Sequence, residues 1–275
     1  GEIATNPTDT SVYAVPGLQV VAFRELISND PTMVPELLSQ LATHRTQCLH
    51  DDVIPGVSPH APYTVSVELL VAACQWSLES NAPLAFHFAE SPEERELLES
   101  GEGPFAQLLR EAGAWRAEQF GNRPPIDYLK PLAICPRVAL IHGNFLGPEE
   151  RQFVAQRPDK MTVVYCPRTH EYFGHSPYPL SEYLEQGISM AIGTDSRASN
   201  PNLSSMQELL ATRRRHPDID PSRLLEMATI RAAEAIGIAS EFGSIEAGKP
   251  LNYLKIPVDP SIADPYDALF DGISR

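Results

Sequence analysis

Short apolar runs recur along this chain, each ending at a polar group, separated by helical stripes at roughly thirty-residue spacing. That pattern restricts the chain to parallel βα architectures. The clearest run is Pro83-Leu-Ala-Phe-His-Phe-Ala-Glu-Ser91. Its apolar residues lead into His87, and Glu90 follows three positions later. Ser91 suits the N-cap of a helix, with Pro92 at the first helical position and Glu94 reaching back in a capping box. A buried strand therefore ends at a histidine, a short loop carries a glutamate, and a helix begins. This is how a βα unit presents reactive groups at the carboxyl end of a strand.

The same reading extends along the chain. Strands are expected at residues 18–23 (followed by Arg24 and Glu25), weakly at 53–57, and at 138–141, 161–165 and 188–192. Helical stripes lie at 31–48, from Ser66 onward, and at 93–114 with an interruption at 101–104. Further helices begin at Pro148, Leu180, near Leu203 and after Asp220. Residues 166–178 read as a long irregular segment, 243–250 as a turn-rich exit, and the tail as short β-prone pieces.

A doubly wound sheet and a (β/α)8 barrel both satisfy this alternation. Neither G-x-G-x-x-G nor G-x-x-x-x-G-K-[ST] occurs, so the nucleotide-binding doubly wound version lacks its motif. The polar residues favour the barrel. His60, His87, His142, His170 and Asp195 each fall just past a different strand, and closing the sheet brings them to one rim.

Composition excludes other classes. A net charge of −15 over 275 residues argues against a nucleic-acid partner. The one dense basic run, Arg213 to Arg215, reads as a solvated helix end. No stretch approaches the ~20 apolar residues of a membrane span, and the first residues do not resemble a signal peptide. The four cysteines show no C-x-x-C pairing, which indicates reduced thiols in a cytoplasmic protein.

Two histidines and an aspartate converging on one point outline a metal site. Imidazole and carboxylate suit one divalent ion, zinc before iron. Such an ion lowers the pKa of a bound water to about 7. Glu90 is then placed to shuttle a proton from that water to a leaving group, and Asp195 can both ligate and accept a hydrogen bond from the water.

The ordered set of 58–63 (Ser-Pro-His-Ala-Pro-Tyr), His87-Phe-Ala-Glu90, His142-Gly-Asn, Cys166-Pro-Arg, Gly193-Thr-Asp-Ser196 and 243–250 resembles the amidohydrolase superfamily. It is most similar to the chlorohydrolase and aminohydrolase deaminase branch. The resemblance implies a metal-dependent TIM-type (β/α)8 barrel, occupying residues 1–242, with 243–275 leading towards an accessory β domain. It implies hydrolytic deamination of an aminated N-heterocycle, of the adenosine, S-adenosylhomocysteine or aminofutalosine kind, a small-molecule partner. By that resemblance His87, His142 and Asp195 are the metal group, with Glu90, His142 and Asp195 catalytic. His60, Arg168 and His170 are substrate contacts.

One departure stands out. The superfamily's first strand supplies His-x-His, and no two of the eight histidines here have that spacing. The expectation is a chain lacking the first strand unit and most of the accessory β domain, with weakened metal binding or none. The uncovered edge would favour a homodimer. Two alternatives stay open: a chlorohydrolase or cyclic amidase on the same fold, and a binding protein without catalysis.

Overall fold

The computed structural model describes residues 1–5 and 9–274. Among them, seven strands form one parallel sheet in sequence order: β1 (Glu2–Ala4), β2 (Val21–Leu26), β3 (Ile54–Pro59), β4 (Leu84–Phe88), β5 (Val138–His142), β6 (Met161–Tyr165) and β7 (Ser189–Ile192). The strand order never reverses, which removes the doubly wound alternative. Parallel crossovers are right-handed, and taking each in the same direction places the crossover helices on one face of a sheet that curls as a barrel does.

The connecting helices are α1 (Val34–His50), α2 (Val67–Ser80), α3 (Pro92–Ser100), α4 (Pro104–Glu111), α5 (Ile126–Leu129), α6 (Pro148–Ala155), α7 (Pro167–Tyr172) and α8 (Leu180–Glu185). After β7 come α9 (Ser205–Arg215), α10 (Pro221–Ala228), α11 (Ile230–Ala235) and α12 (Pro265–Ser274).

Strand periodicity divides the core in two. Leu84, Phe86, Phe88, Val138, Leu140, Val163 and Tyr165 belong to the main apolar cluster, together with buried residues of the helices. Val21, Phe23, Ala85, Ala139 and Ala191 form a second, smaller cluster on the other face. The small inward side chains leave room for Phe23. A Cβ on Gly56 would lie 2.6 Å from Phe23 Cδ1, so that neighbour has to be glycine.

Three expectations need correction. β2 runs to Leu26 and so takes Arg24 and Glu25 into the sheet, where they pair with Val57 and Ser58 of β3. The segment after Cys166 is not all irregular, since Pro167 opens α7. The tail contributes a helix and no strand among the described residues. Asp264 accepts the N–H groups of Tyr266 and Asp267, Pro265 begins α12, and Phe270 joins the main cluster.

Candidate active site

At the carboxyl ends of the strands, periodicity alone points His87 inward, in phase with Ala85. His142 is in phase with Leu140 and should face the helices. It is turned back by a left-handed backbone, φ 72°, and Gly143 follows with φ 59°. A Cβ on Gly143 would meet Val163 Cγ1 at 2.7 Å, so glycine is required there on two counts. Tyr178 and Tyr183 donate to the carbonyls of His142 and Gly143, at 3.0 and 2.8 Å, and hold the turn. Asp195 is also left-handed, φ 55°, and its Oδ2 accepts from Ser199 at 2.9 Å.

The result is one cluster. Ligand atoms of His87, His142 and Asp195 all lie within 4.8 Å of one another. Nδ1 of His87 is 3.0 Å from the carbonyl of His60, to which it must donate, so the Nε2 lone pair is free. Burial, reinforced by His87, pushes the His142 imidazole down to about 3, so it is neutral. Two imidazoles and a carboxylate are a donor set suited to zinc or ferrous iron, so the residues fit a divalent metal.

Glu90 stands beside this cluster, its Oε1 3.6 Å from His142 Nε2. Its backbone is held at both ends. The N–H donates to Glu94 at 3.0 Å, and the carbonyl accepts from Asn144 at 2.9 Å. Ser91 caps α3 as expected, accepting from the Glu94 N–H at 3.3 Å. The Glu94 carboxylate, however, does not close a capping box on Ser91. It takes the N–H groups of Ala89 and Glu90 instead. Burial first, and Asp195 second, raise Glu90 to about 7.

The other expected contacts divide. His60 is at the site, its ring centroid 5.1 Å from that of His87. Arg168 is turned to other work. Its guanidinium pairs with the fully buried Glu208 and donates to Asn202 at 2.9 Å. Glu208 also receives Asn200, which in turn donates to the carbonyl of Thr194 at 2.7 Å. Arg168 therefore braces the loop that carries Asp195. His170 is buried among Tyr165, Tyr178 and His175, ring centroids 5.3 to 5.9 Å away.

Sequence reasoning gave no role at the site to Glu25, Glu94, Asn144, Ser199 or Glu208. Glu25 carried a usable signal, a carboxylate at the end of an apolar run. It forms a second cluster, with His60 and His87, whose ligand atoms also lie within 4.8 Å of one another. A cavity of about 460 Å³, lined by Arg137, Lys160 and Ser189 among others, opens at the opposite ends of β5 to β7 and shares none of these groups.

A parallel barrel-type sheet with imidazoles, an aspartate and a glutamate at its carboxyl rim defines a hydrolase scaffold of the metal-binding kind. Residues 13–268 match the Amidohydrolase family, and the chain belongs to it. It is 30% identical over 205 residues to a 5-methylthioadenosine/S-adenosylhomocysteine deaminase of Thermodesulfovibrio yellowstonii, covering 72% of this chain and 42% of that protein. It is 30% identical over 189 residues to an aminodeoxyfutalosine deaminase of Deinococcus radiodurans, covering 66% and 44%. The chain thus spans under half the length of these curated relatives. The fold is like that of Helicobacter pylori aminofutalosine deaminase, with a TM-score of 0.78, 23% identity, and coverage of 90% of this chain and 63% of that one. It is also like a zinc complex of atrazine chlorohydrolase from Arthrobacter aurescens, at a TM-score of 0.71, 21% identity, and coverage of 92% and 57%.

Proposed function

We propose that this chain carries most of the catalytic rim of a metal-dependent deaminase acting on an aminated N-heterocycle of the purine nucleoside kind. The observation behind this is the convergence of His87, His142 and Asp195 within 4.8 Å, with Glu90 clamped beside them. The names of the curated relatives support the choice of substrate class.

His87 Nε2, a nitrogen of His142 and the Asp195 carboxylate would hold one divalent ion, zinc in our reading. Bound there, it supplies the Lewis acidity that brings a water's pKa to about 7. The rest falls to side chains. Glu90 faces the same space and accepts the proton of the attacking water. It then returns that proton to the ring nitrogen or the departing amine. Neutral His142 stays within reach of the Glu90 carboxylate and orients it. His60 borders the substrate. His170 and Arg168, engaged elsewhere, support the wall and not the substrate itself. The residues of this site all lie within 1–242, and α12 packs onto the same core.

No helix among the described residues is long and apolar enough to cross a membrane. All four cysteines are free and buried, which suits a reducing cytoplasm. The test is ammonia release by the full-length protein from 5′-methylthioadenosine, before and after removal of metal with a chelator. Release that stops on chelation and returns with zinc is expected. A metal-loaded protein that releases no ammonia from any aminated purine sinks the proposal.

A further inference from the structure

Glu25 lies at the inner, carboxyl end of β2, in phase with Val21 and Phe23, and only 7% of it is exposed. Its carboxylate accepts no hydrogen bond among the described residues. The adjacent cation does not serve it. Arg24 points to the other face of the strand and donates to the carbonyls of Ala4 and Thr5 and to Gln40 Oε1, at 3.3, 2.7 and 3.0 Å.

What faces Glu25 is a histidine already engaged. Nδ1 of His60 lies 2.6 Å from Thr64 Oγ1, so Nε2 is the ring nitrogen left to the pocket. Ligand atoms of Glu25, His60 and His87 lie within 4.8 Å of one another, and no hydrogen bond joins Glu25 to His60. A carboxylate that receives no hydrogen bond from its neighbours is free to accept one from a ligand that brings the missing protons. Arg168, the arginine expected at the substrate, is held by Glu208 instead.

The geometry points to Glu25, beside His60, as the specificity-determining acceptor of O–H or N–H donors on the part of the substrate away from the reacting amine. This rests on the reading that an aminated heterocycle enters the pocket. Hydroxyls of an attached sugar and a ring N–H present the same chemistry, and three ligands separate them. 5′-Methylthioadenosine carries sugar hydroxyls, adenine carries a ring N–H, and the 2′,3′-dideoxy form of 5′-methylthioadenosine carries neither.

Binding to the full-length, zinc-loaded protein is measured by calorimetry, with turnover followed separately. Glu25→Leu should weaken binding of the donor-bearing ligand about 10- to 100-fold, the size of a hydrogen bond to a charged group, and leave the dideoxy form unaffected. Glu25→Gln, which keeps an acceptor oxygen, should restore most of the loss. Both variants should keep the wild-type zinc content and melt close to wild type, because no hydrogen bond from a neighbouring residue is lost. Weakening confined to 5′-methylthioadenosine assigns Glu25 to sugar hydroxyls, and weakening confined to adenine assigns it to the ring N–H. Equal weakening of all three ligands, no weakening of any, or loss of zinc in Glu25→Leu overturns the inference. Ligand binding that depends on Glu25 in a protein that releases no ammonia would sink only the deaminase reading.

Discussion

The carboxylate of Glu94 accepts the backbone N–H of Glu90 at 3.0 Å, and through its other oxygen that of Ala89 at 2.9 Å. One buried side chain on α3 therefore holds the loop that aims the candidate proton carrier. Glu94→Ala leaves two buried N–H groups without acceptors, which costs about 1–3 kcal/mol each before any relaxation. We expect urea unfolding to show a loss in that range, and turnover to fall about tenfold or more with KM little changed. Glu94→Gln keeps one acceptor and should recover part of both. A Glu94→Ala protein with normal kcat would show that the loop holds itself.

Ser199 donates to Asp195 Oδ2 at 2.9 Å and shares a second contact of 2.9 Å with Thr169 Oγ1. Outer partners of this sort fix the orientation of a ligating carboxylate and are worth about 10- to 100-fold in metal affinity. Ser199→Ala should lower zinc affinity by that order in a chelator competition, with the melting temperature of the metal-free protein little changed. Unaltered affinity would mean that Asp195 is oriented by its backbone alone.

Glu208 is fully buried and is the partner of Arg168, whose own side chain is 13% exposed. Removing one member of a buried pair strands the other charge, at about 3–5 kcal/mol, whereas replacing both with apolar groups of similar volume is often neutral. Glu208→Leu should therefore be strongly destabilising in urea, and the Arg168→Met, Glu208→Leu double variant much less so. Equal losses in the single and double variants would refute the pairing argument.

His44 on α1 is buried, with Nε2 2.8 Å from the carbonyl of Ala22, and burial lowers its pKa from 6.5. The folded protein thus resists a proton that the unfolded chain accepts. This contribution is complete above pH 6.5 and is lost progressively as pH falls towards the folded-state value. His44→Gln can still donate to Ala22 and does not titrate. Between about pH 7.5 and about pH 5 the wild type should lose more unfolding free energy than the variant. Parallel losses would remove His44 from the acid response.

The fold and the main cluster were readable because each depends on local pattern. An apolar run that stops at His87, His142 or Asp195 marks both a strand and its carboxyl end. Ser66 and Ser91 cap α2 and α3 as read, accepting from Leu69 and Glu94. What was hidden depends on partners far away in sequence. Arg168 faces Glu208, 40 residues on, and nothing around Arg168 announces it. Whether Glu25 points inward depends on where β2 ends, which is fixed by its pairing with β3 and not by its own residues. β1 has three residues, too few for any periodicity to show.

Among the described residues five non-glycine positions have left-handed backbones, and three of them, Ala89, His142 and Asp195, lie at the reactive rim. Each such residue carries a local penalty of roughly 1–2 kcal/mol that only the surrounding packing sustains. The rim is consequently where the native ensemble should first relax. Weakening the barrel at a distance ought to blur the aim of these side chains well before the chain as a whole unravels. Reactivity would then report on the health of the scaffold sooner than any melting curve.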